Sequence, residues 1–223
     1  MHHISPMEVY QLLHARYGDL HWWPAQSPFE MMVGAILTQN TRWEGVEDAI
    51  QNLKNANLLN PESIISCDSK KLESLIRPSG FFRQKGRRLV ELSNFLLAHD
   101  GTRGLKRWAT ACLRARLLDV HGVGPETADS ILLYALDKPV FVVDAYTKRI
   151  FSRLGMFEAT MTYDEVQNFF FQRLANSLQL FQAFHALIVE QAKRYCTSKP
   201  QCDGCPLFDI CITASEIDRL SEL

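Results

Sequence analysis

The sequence predicts an all-α protein, because helix-start signals and helical spacing of apolar residues recur along the chain while convincing period-two alternation does not. The run Pro-Val-Phe-Val-Val at 139–143 is rich in the β-branched residues that favour strands. A single strand would have no partner for its backbone hydrogen bonds. We therefore predict an extended connector at this run, and an all-α fold class.

The individual helices are predicted from local signals. Residues 1–18 have the pattern of an amphipathic helix, and Ser-Pro-Phe-Glu at 27–30 predicts a capping box with proline in the first helical turn. Asn-Pro at 60–61 predicts another helix start, and Pro78 with Gly80 ends an amphipathic stretch. Further helices are predicted at 89–97, 105–118, 128–136, 162–171 with a capping box at its start, and 184–195.

Composition limits the possible classes of protein. A chain of 223 residues with 47% hydrophobic content can bury a core, as one domain or as two lobes. The net charge is −1, so any contact with DNA must come from a local basic patch. No apolar run approaches the roughly 20 residues that span a bilayer, and the N-terminus lacks a signal-peptide layout. We expect a cytoplasmic, reduced and monomeric protein without membrane partners.

A glycine-containing hairpin is predicted within LLDVHGVGPETADSILL at 117–133. Gly122 and Gly124 flank Val123 between an apolar helix end and a new helix that begins near Pro125. In a helix-hairpin-helix, such glycines let the backbone approach a phosphate, and the amides at the second helix start point toward the anion. The glycine pair alone equally fits a plain αα-hairpin. Asp144, eighteen residues after Glu126, favours the DNA-binding interpretation.

The C-terminal cysteines predict a metal site. Cys196, Cys202, Cys205 and Cys211 have the spacing C-x5-C-x2-C-x5-C, and clustered cysteines in a reduced compartment indicate metal rather than disulfides. Spacing alone does not separate a [4Fe–4S] cluster from tetrahedral zinc. The other two cysteines, Cys67 and Cys112, fall in predicted helices, where we expect them to be buried as small hydrophobic residues.

Several motifs in the same order resemble the endonuclease III superfamily of helix-hairpin-helix DNA glycosylases. They are SPFEMMVGAILTQNT near the start, GFFRQKGRRL at 80–89, the hairpin, and Val-Phe-Val-Val before Asp144. The resemblance implies a six-helix barrel at 27–137, with the hairpin at about 113–133. It also implies a second helical lobe of residues 1–26 and 138–223, with the active site in the cleft between the lobes and Asp144 as the catalytic residue.

The resemblance also implies ligands and partners. Double-stranded DNA with a damaged base is the expected partner, and Gln39 is the expected residue inserted into the base stack. A [4Fe–4S] cluster is implied at the four cysteines, although this superfamily has one more residue in the first gap. The hairpin is expected to bind phosphate through Gly122, Val123, Gly124, Glu126 and Thr127, and a monovalent cation through the carbonyls of Leu118, Val120 and Val123.

Two positions that lack the superfamily's reactive groups restrict the chemistry. Members that also nick the strand have a lysine two residues after the GVG motif, where this chain has Glu126, so an AP-lyase step is not expected. Adenine-removing relatives carry an acidic residue at the position of Gly34. A purine methylated at N3 or N7 needs neither group, because it is already a cationic leaving group. The expected enzyme is a monofunctional hydrolase.

The expected base pocket consists of aromatic residues that favour a delocalised cation. The combination of WWP, LTQNT, RPSGF and GPETAD resembles the 3-methyladenine glycosylase branch. That resemblance implies a pocket built from Trp22, Trp23, Pro24, Trp43 and Lys193. Each tryptophan is equally well explained as a packing residue, and Lys193 as a surface charge.

Other interpretations remain open at this point. On the same fold, the enzyme could act on oxidised pyrimidines or mismatched bases. A non-catalytic DNA-damage-binding module would need no catalytic residue, and Asp144 would then be an ordinary helix N-cap. A zinc-stabilised helical scaffold is a third class. The arginines and Lys85 in GFFRQKGRRL form either a second phosphate-facing loop or a solvated helix face.

Overall fold

The structure is a computed structural model that describes residues 4–20 and 23–221, with side-chain surroundings through residue 217. The described ranges are helical and contain no β-strand, so the predicted all-α fold class is confirmed. The helices are α1 (Pro6–Tyr17), α2 (Pro28–Leu37), α3 (Trp43–Asn55), α4 (Pro61–Ser66), α5 (Ser69–Leu75), α6 (Phe82–Leu97), α7 (Gly101–Leu105), α8 (Thr110–Leu118), α9 (Pro125–Ser130), α10 (Ala145–Arg153), α11 (Tyr163–Phe171), α12 (Leu178–Arg194) and α13 (Ile212–Ser221). Short 3-10 turns lie at Arg77–Ser79 and Phe208–Ile210, and a π-helical turn at Ile131–Ala135.

The chain divides into two compact units. The first unit contains Met1–Trp22 and Pro139–Leu223, and the second contains Trp23–Lys138. That the second unit is a six-helix barrel and the first a separate lobe remains a prediction. None of the described helices combines the length and the apolar character needed to cross a membrane.

Helix α2 forms the centre of the second unit, because every residue from Phe29 to Leu37 is buried. It packs against α3, α6, α9 and the π-helical turn. The expected capping box at its start forms only in part. Ser27 accepts a hydrogen bond from the amide of Glu30 at 3.1 Å, but the Glu30 carboxylate pairs with Lys54 Nζ at 2.7 Å and accepts from the amide of Gln26 at 3.2 Å. The ion pair with α3 therefore replaces the second half of the box.

Lys85, on α6, is a buried cation whose hydrogen bonds stay within the second unit. Its Nζ donates to the carbonyls of Leu37 at 2.8 Å and Ser79 at 2.6 Å. Leu37 is the last residue of α2, so the ammonium group satisfies a carbonyl that the helix end leaves without an intrahelical donor. Burial, together with the nearby Arg88, lowers the pKa of Lys85 to about 8.

We expect Lys85→Met to lower the free energy of unfolding at pH 7 by about 2 kcal/mol, because two buried carbonyls lose their donor. The unfolded chain holds the lysine proton up to its ordinary pKa of 10.5, whereas the folded chain releases it near pH 8. Between these values the unfolded state binds more protons, so the stability of the wild type should rise with pH relative to the variant. Urea unfolding of both proteins from pH 7 to 10 measures this difference, and parallel pH profiles would contradict it.

The predicted helix at 105–118 is wrong as a single element. Helix α7 ends at Leu105 and α8 begins at Thr110, with a turn between them. Lys138 Nζ donates to the turn carbonyls of Lys106 and Trp108, both at 2.8 Å, and these bonds stabilise the break. The expected burial of the other two cysteines is also wrong, since Cys112 on α8 is exposed and Cys67 at the end of α4 is partly exposed.

The extended connector in the first unit is confirmed: residues 139–144 are not helical and belong to no strand, and Val140–Val143 are buried. Helix α11 satisfies its backbone, because Gln167 Nε2 donates to the carbonyl of Phe141 at 2.7 Å and the Tyr163 hydroxyl accepts from the amide of Val143 at 3.3 Å. The Phe141 ring stacks on that of Phe170 with a centroid distance of 4.0 Å. These contacts fix the residue that follows, Asp144, at the start of α10.

Candidate active site and nucleic-acid interface

Asp144 is the N-cap of α10, and one of its carboxylate oxygens serves that structural purpose. Oδ1 accepts from the backbone amide of Thr147 at 2.7 Å and from the Thr147 hydroxyl at 2.8 Å. The sequence left open whether Asp144 is an ordinary helix N-cap, and for Oδ1 that interpretation is correct. It does not exclude chemistry, because 12% of the side chain stays exposed and the second oxygen has other surroundings.

The second oxygen, Oδ2, lies 3.6 Å from Nε2 of His185, a buried residue of α12. Burial acts to raise the pKa of Asp144, but the nearby His185 side chain and the two hydrogen bonds from Thr147 outweigh it. The net effect lowers the pKa of Asp144 below its ordinary value. Asp144 is therefore a carboxylate at neutral pH, which is the form that can stabilise positive charge or accept a proton from water.

The glycine hairpin connects α8 to α9. Gly122 has a φ of +85°, and a Cβ there would lie 2.3 Å from Arg88 Cγ, so both the turn and the close approach of Arg88 require glycine. The amide of Val123 donates to the carbonyl of Val120 at 3.0 Å and closes the turn. A Cβ at Gly124 would meet no atom within 4 Å, so no internal contact requires glycine there. Leu118 and Glu126 are exposed and Thr127 is buried.

Gln39 lies in the loop after α2 and is hydrogen-bonded to the hairpin. Its Nε2 donates to the carbonyl of Gly122 at 3.1 Å and to the hydroxyl of Thr127 at 2.9 Å. Its Oε1 accepts from the Arg88 guanidinium. The next residue, Asn40, is exposed and has a φ of +52°. In this structure the side chain expected to enter DNA therefore connects the loop to the hairpin.

The basic segment on α6 divides into residues with different surroundings. Arg83 and Arg87 are exposed, and the Arg83 guanidinium lies 4.0 Å from Glu73. Lys85 is buried and Arg88 is bonded to Gln39, so neither belongs to a freely solvated helix face. Of the four cations that the sequence analysis considered for a phosphate-facing loop or a solvated helix face, Arg83 and Arg87 are thus the exposed ones.

The structure places three of the expected base-pocket residues around one recess of the second unit. Trp23, Pro24 and Trp43 line it, together with the Glu30–Lys54 ion pair. The indoles of Trp23 and Trp43 meet edge to face with centroids 5.9 Å apart, and the ring of Tyr134 lies tilted toward that of Trp23 at a centroid distance of 5.5 Å. Trp22, which was also expected in the base pocket, lies outside the described residues. Lys193 is an exposed residue of α12, in the first unit.

Gly34 faces the indole of Trp23. A Cβ on Gly34 would lie 3.2 Å from both Cζ2 and Nε1 of Trp23, so any side chain at this position would press against the ring. Gly34 is itself buried on α2. A side chain at position 34 would require the Trp23 ring to shift by a few tenths of an ångström.

The four C-terminal cysteines line one cavity of the first unit, together with residues of α10 and α12. Arg153 Nη1 donates to Cys196 Sγ and Gln191 Nε2 donates to Cys205 Sγ, both at 3.1 Å. Donors aimed at sulfur favour the thiolate form, as metal ligation requires. Within the described ranges, no three His, Cys, Asp or Glu side chains converge closely enough to hold a single metal ion.

Two residues with notable surroundings were not identified from the sequence. His185 could have been singled out as the one ionisable residue within the apolar stretch Phe184–Val189 of α12. Phe81 gave no such signal. It is 63% exposed and has a φ of +44°, in the left-handed region that bulky residues avoid, at the start of α6. An aromatic side chain kept on the surface at this backbone cost is a candidate contact residue.

The structure has the features expected of a helix-hairpin-helix protein. They are an all-helical fold, a glycine hairpin bonded to a neighbouring polar loop, and a buried carboxylate. The chain belongs to the HhH-GPD superfamily of base excision DNA repair proteins, because the model of that family matches residues 33–175, more than half of the chain. This membership confirms the resemblance inferred from the sequence motifs and makes the protein a DNA glycosylase by class.

Individual relatives cover most of the chain. A putative DNA repair glycosylase of Methanocaldococcus jannaschii is 47% identical over 92% of this chain and 95% of its own length. Endonuclease III of Thermotoga maritima is 31% identical over 82% of each chain. The crystal structure of H. pylori 3-methyladenine DNA glycosylase bound to 1,N6-ethenoadenine superposes with a TM-score of 0.76, at 34% identity over 86% of this chain and 98% of that one.

Proposed function

We propose that this protein is a monofunctional DNA glycosylase that flips alkylated purines of the 3-methyladenine type out of double-stranded DNA and hydrolyses their N-glycosidic bond. The observation that carries the proposal is the close packing of Trp23 on Gly34: an aromatic ring lies against the position at which adenine-removing relatives carry an acidic residue and this chain has glycine. A base that is already cationic leaves without further protonation. The similarity to a 3-methyladenine glycosylase structure at 34% identity supports the same substrate class.

The base-binding proposal concerns the aromatic recess. Trp23 and Trp43 supply aromatic rings, whose faces are electron-rich, and Pro24 also lines the recess. Trp22 and Lys193 are assigned to the base pocket by resemblance. A cation whose charge is spread over a purine ring gains from such rings more than a neutral base does. The pocket therefore selects substrate by charge and shape rather than by protonating it.

Asp144 is the proposed catalytic residue. Cleavage of the base–sugar bond leaves positive charge on the sugar, and an ionised carboxylate stabilises that charge. The same group orients or deprotonates the attacking water. The lowered pKa of Asp144, which His185 and Thr147 produce against the effect of burial, supports this role at neutral pH.

DNA binding is assigned to the hairpin and its surroundings. The open space above Gly124 leaves room for a phosphate to approach the backbone amides of residues 122–127. The carbonyls of Leu118, Val120 and Val123 are the proposed ligands of a monovalent cation. Because Glu126 cannot form an imine, no strand-nicking step is proposed.

Insertion into the base stack is assigned to Gln39. The three hydrogen bonds of its amide to the hairpin and to Arg88 would have to be exchanged for contacts with DNA when it fills the gap left by the flipped nucleotide. The exposed ring of Phe81 is a second candidate for this contact, since apolar wedges commonly enter between base steps.

A [4Fe–4S] cluster is proposed at Cys196, Cys202, Cys205 and Cys211. The shared cavity and the N–H···S contacts from Arg153 and Gln191 fit such a group. Burial raises the pKa of the Cys202 and Cys211 thiols, so their thiolate form needs a positive partner such as iron. The cluster is assigned a structural role that shapes the loop carrying Lys199.

The proposal is tested by incubating the protein with duplexes that each carry one lesion, and measuring both base release and strand nicking. The panel contains 3-methyladenine, 7-methylguanine, an oxidised pyrimidine and a G·T mismatch. We expect release of methylated purines, with strand breaks only after alkaline treatment. Preferential release from the oxidised or mismatched duplex would show that the substrate is that base and not a methylated purine. Binding without any release would favour a damage-binding module.

A further inference from the structure

We propose that His185 is a positioning residue for Asp144: its Nε2 lies 3.6 Å from Oδ2, and a hydrogen bond formed by closing this short separation would keep the second carboxylate oxygen ionised and oriented. The catalytic consequence of this pairing rests on the proposed glycosylase function. The pairing itself does not, and it can be tested on the folded protein without a substrate.

The two carboxylate oxygens of Asp144 have different neighbours. Oδ1 is committed to the helix start through the amide and hydroxyl of Thr147, at 2.7 and 2.8 Å. Oδ2 lies 3.6 Å from Nε2 of His185. Because α10 holds one oxygen and α12 faces the other, neither oxygen can rotate away without breaking a contact. The cap alone would fix the position of Asp144 but would leave Oδ2 without an orienting donor.

His185 lies where an imidazole is otherwise unexpected. It is 5% exposed within Phe184–Val189, a continuously buried stretch of α12. A buried polar ring stabilises the fold only when its nitrogen atoms have partners. Since an ionised carboxylate oxygen can only accept, the proposed hydrogen bond requires a proton on Nε2 of His185.

The other charged groups on the neighbouring elements are directed to different partners. On α10, Lys148 donates to the carbonyl of Met161 and Arg149 to that of Cys196. On α1, which also packs against α12, His14 pairs with Asp19 at 3.0 Å, and Arg16 donates to the hydroxyl of Tyr195. On α12, Glu190 pairs with Arg194. His185 is thus the titratable side chain that faces Asp144, and it is also among the causes of the lowered pKa of Asp144.

Removing the imidazole should therefore change the titration of Asp144 in a defined direction. Burial acts to raise the pKa of Asp144 and His185 opposes it. Without His185 the pKa of Asp144 rises, so the carboxylate is protonated at a higher pH. If Asp144 is catalytic, the acid limb of the pH–rate profile moves to higher pH by the same amount.

The experiment compares wild type with His185→Phe, which keeps a ring without a donor, and His185→Gln, which keeps a donor near the position of Nε2. The ¹³C shift of the Asp144 carboxyl carbon is followed from pH 2 upward, together with single-turnover release of 3-methyladenine and affinity for a duplex with an abasic-site analogue. The control is His14→Phe, which removes an exposed imidazole from a pair outside this contact.

We expect H185F to raise the pKa of Asp144 and to slow release by roughly 10²-fold, the low end for a positioned proton-transfer group. Affinity for the abasic duplex should stay near that of wild type. H185Q should restore most of the pKa and rate, and H14F should match wild type. A pKa of Asp144 that is equal in wild type, H185F and H185Q would overturn the proposal, as would H185Q behaving like H185F.

A second measurement decides the matter even if H185F does not fold. The ¹⁵N shifts of the His185 ring are recorded at one pH in wild type and in Asp144→Asn, whose amide oxygen can still cap α10. We expect the Nε2 shift to differ between the two proteins because the variant lacks the neighbouring carboxylate charge, and equal shifts would overturn the pairing. If wild type releases no base while both NMR measurements show the coupling, the glycosylase proposal fails and the pairing stands.

Discussion

Replacing Asp144 with asparagine is expected to slow base release by on the order of 10³-fold or more, while affinity for a duplex with an abasic-site analogue stays near the wild-type value. The substitution separates the two functions of the residue. Asparagine is as good an N-cap as aspartate, so its amide oxygen can still accept from Thr147 and hold the start of α10. What is lost is the negative charge, and with it the stabilisation of the sugar cation and the activation of water.

Single-turnover release of 3-methyladenine and gel-shift affinity on the abasic duplex measure these two effects. The matched control is Asp68→Asn, because Asp68 is also a helix N-cap, on α5, where it accepts from the amide of Lys71 at 3.0 Å. The D68N protein loses one N-cap charge of the same kind and should release base at the wild-type rate. An Asp144→Asn protein that still released methyladenine at the wild-type rate would remove Asp144 from the mechanism and favour the damage-binding module.

The place of Asp144 was predictable because it depends on local sequence. An apolar extended run followed by a capping residue and a polar helix indicates a chain that leaves a core and enters a helix, and residues 139–153 do so. The hairpin was predictable for the same reason, since a glycine with positive φ lies in the turn after α8 and a proline begins α9. Family membership then gives these local features a class of function.

What could not be predicted depends on partners far away in the sequence. The box expected at Ser27 was incomplete because Lys54, on another helix, takes the Glu30 carboxylate. The helix expected at 105–118 was interrupted by a turn whose carbonyls Lys138 satisfies. His185 follows Asp144 by 41 positions, and no periodicity relates the two. Contacts between residues far apart in the sequence decide these three cases, and sequence patterns do not show which residues will meet.

Cys205→Ser is expected to have the largest effect on stability, because it removes one of the four proposed cluster ligands from the cavity that Arg153 and Gln191 also line. Serine is a poor ligand for iron, so the purified variant should contain little iron or acid-labile sulfide and lack the visible absorption of a cluster. The loop from Cys196 to Cys211 has only one short 3-10 turn of its own. Without the cluster we expect a loss of about 3 kcal/mol or more, which lowers Tm by roughly 6–12 °C.

The chain provides its own control in Cys112, an exposed thiol on α8 that does not line the cysteine cavity. Cys112→Ser should keep the iron content, the absorption and the Tm of wild type. Because both variants replace cysteine by serine, a difference between them shows the effect of losing a proposed ligand. Iron and sulfide analysis, absorption spectra and thermal unfolding are measured on both. A colourless wild-type protein with one zinc ion per chain would show that the cysteines hold a mononuclear zinc site and not an iron–sulfur cluster. Equal iron content in C205S and wild type would show that Cys205 is not a ligand, because a cluster held by four cysteines loses a bond when any one of them is replaced.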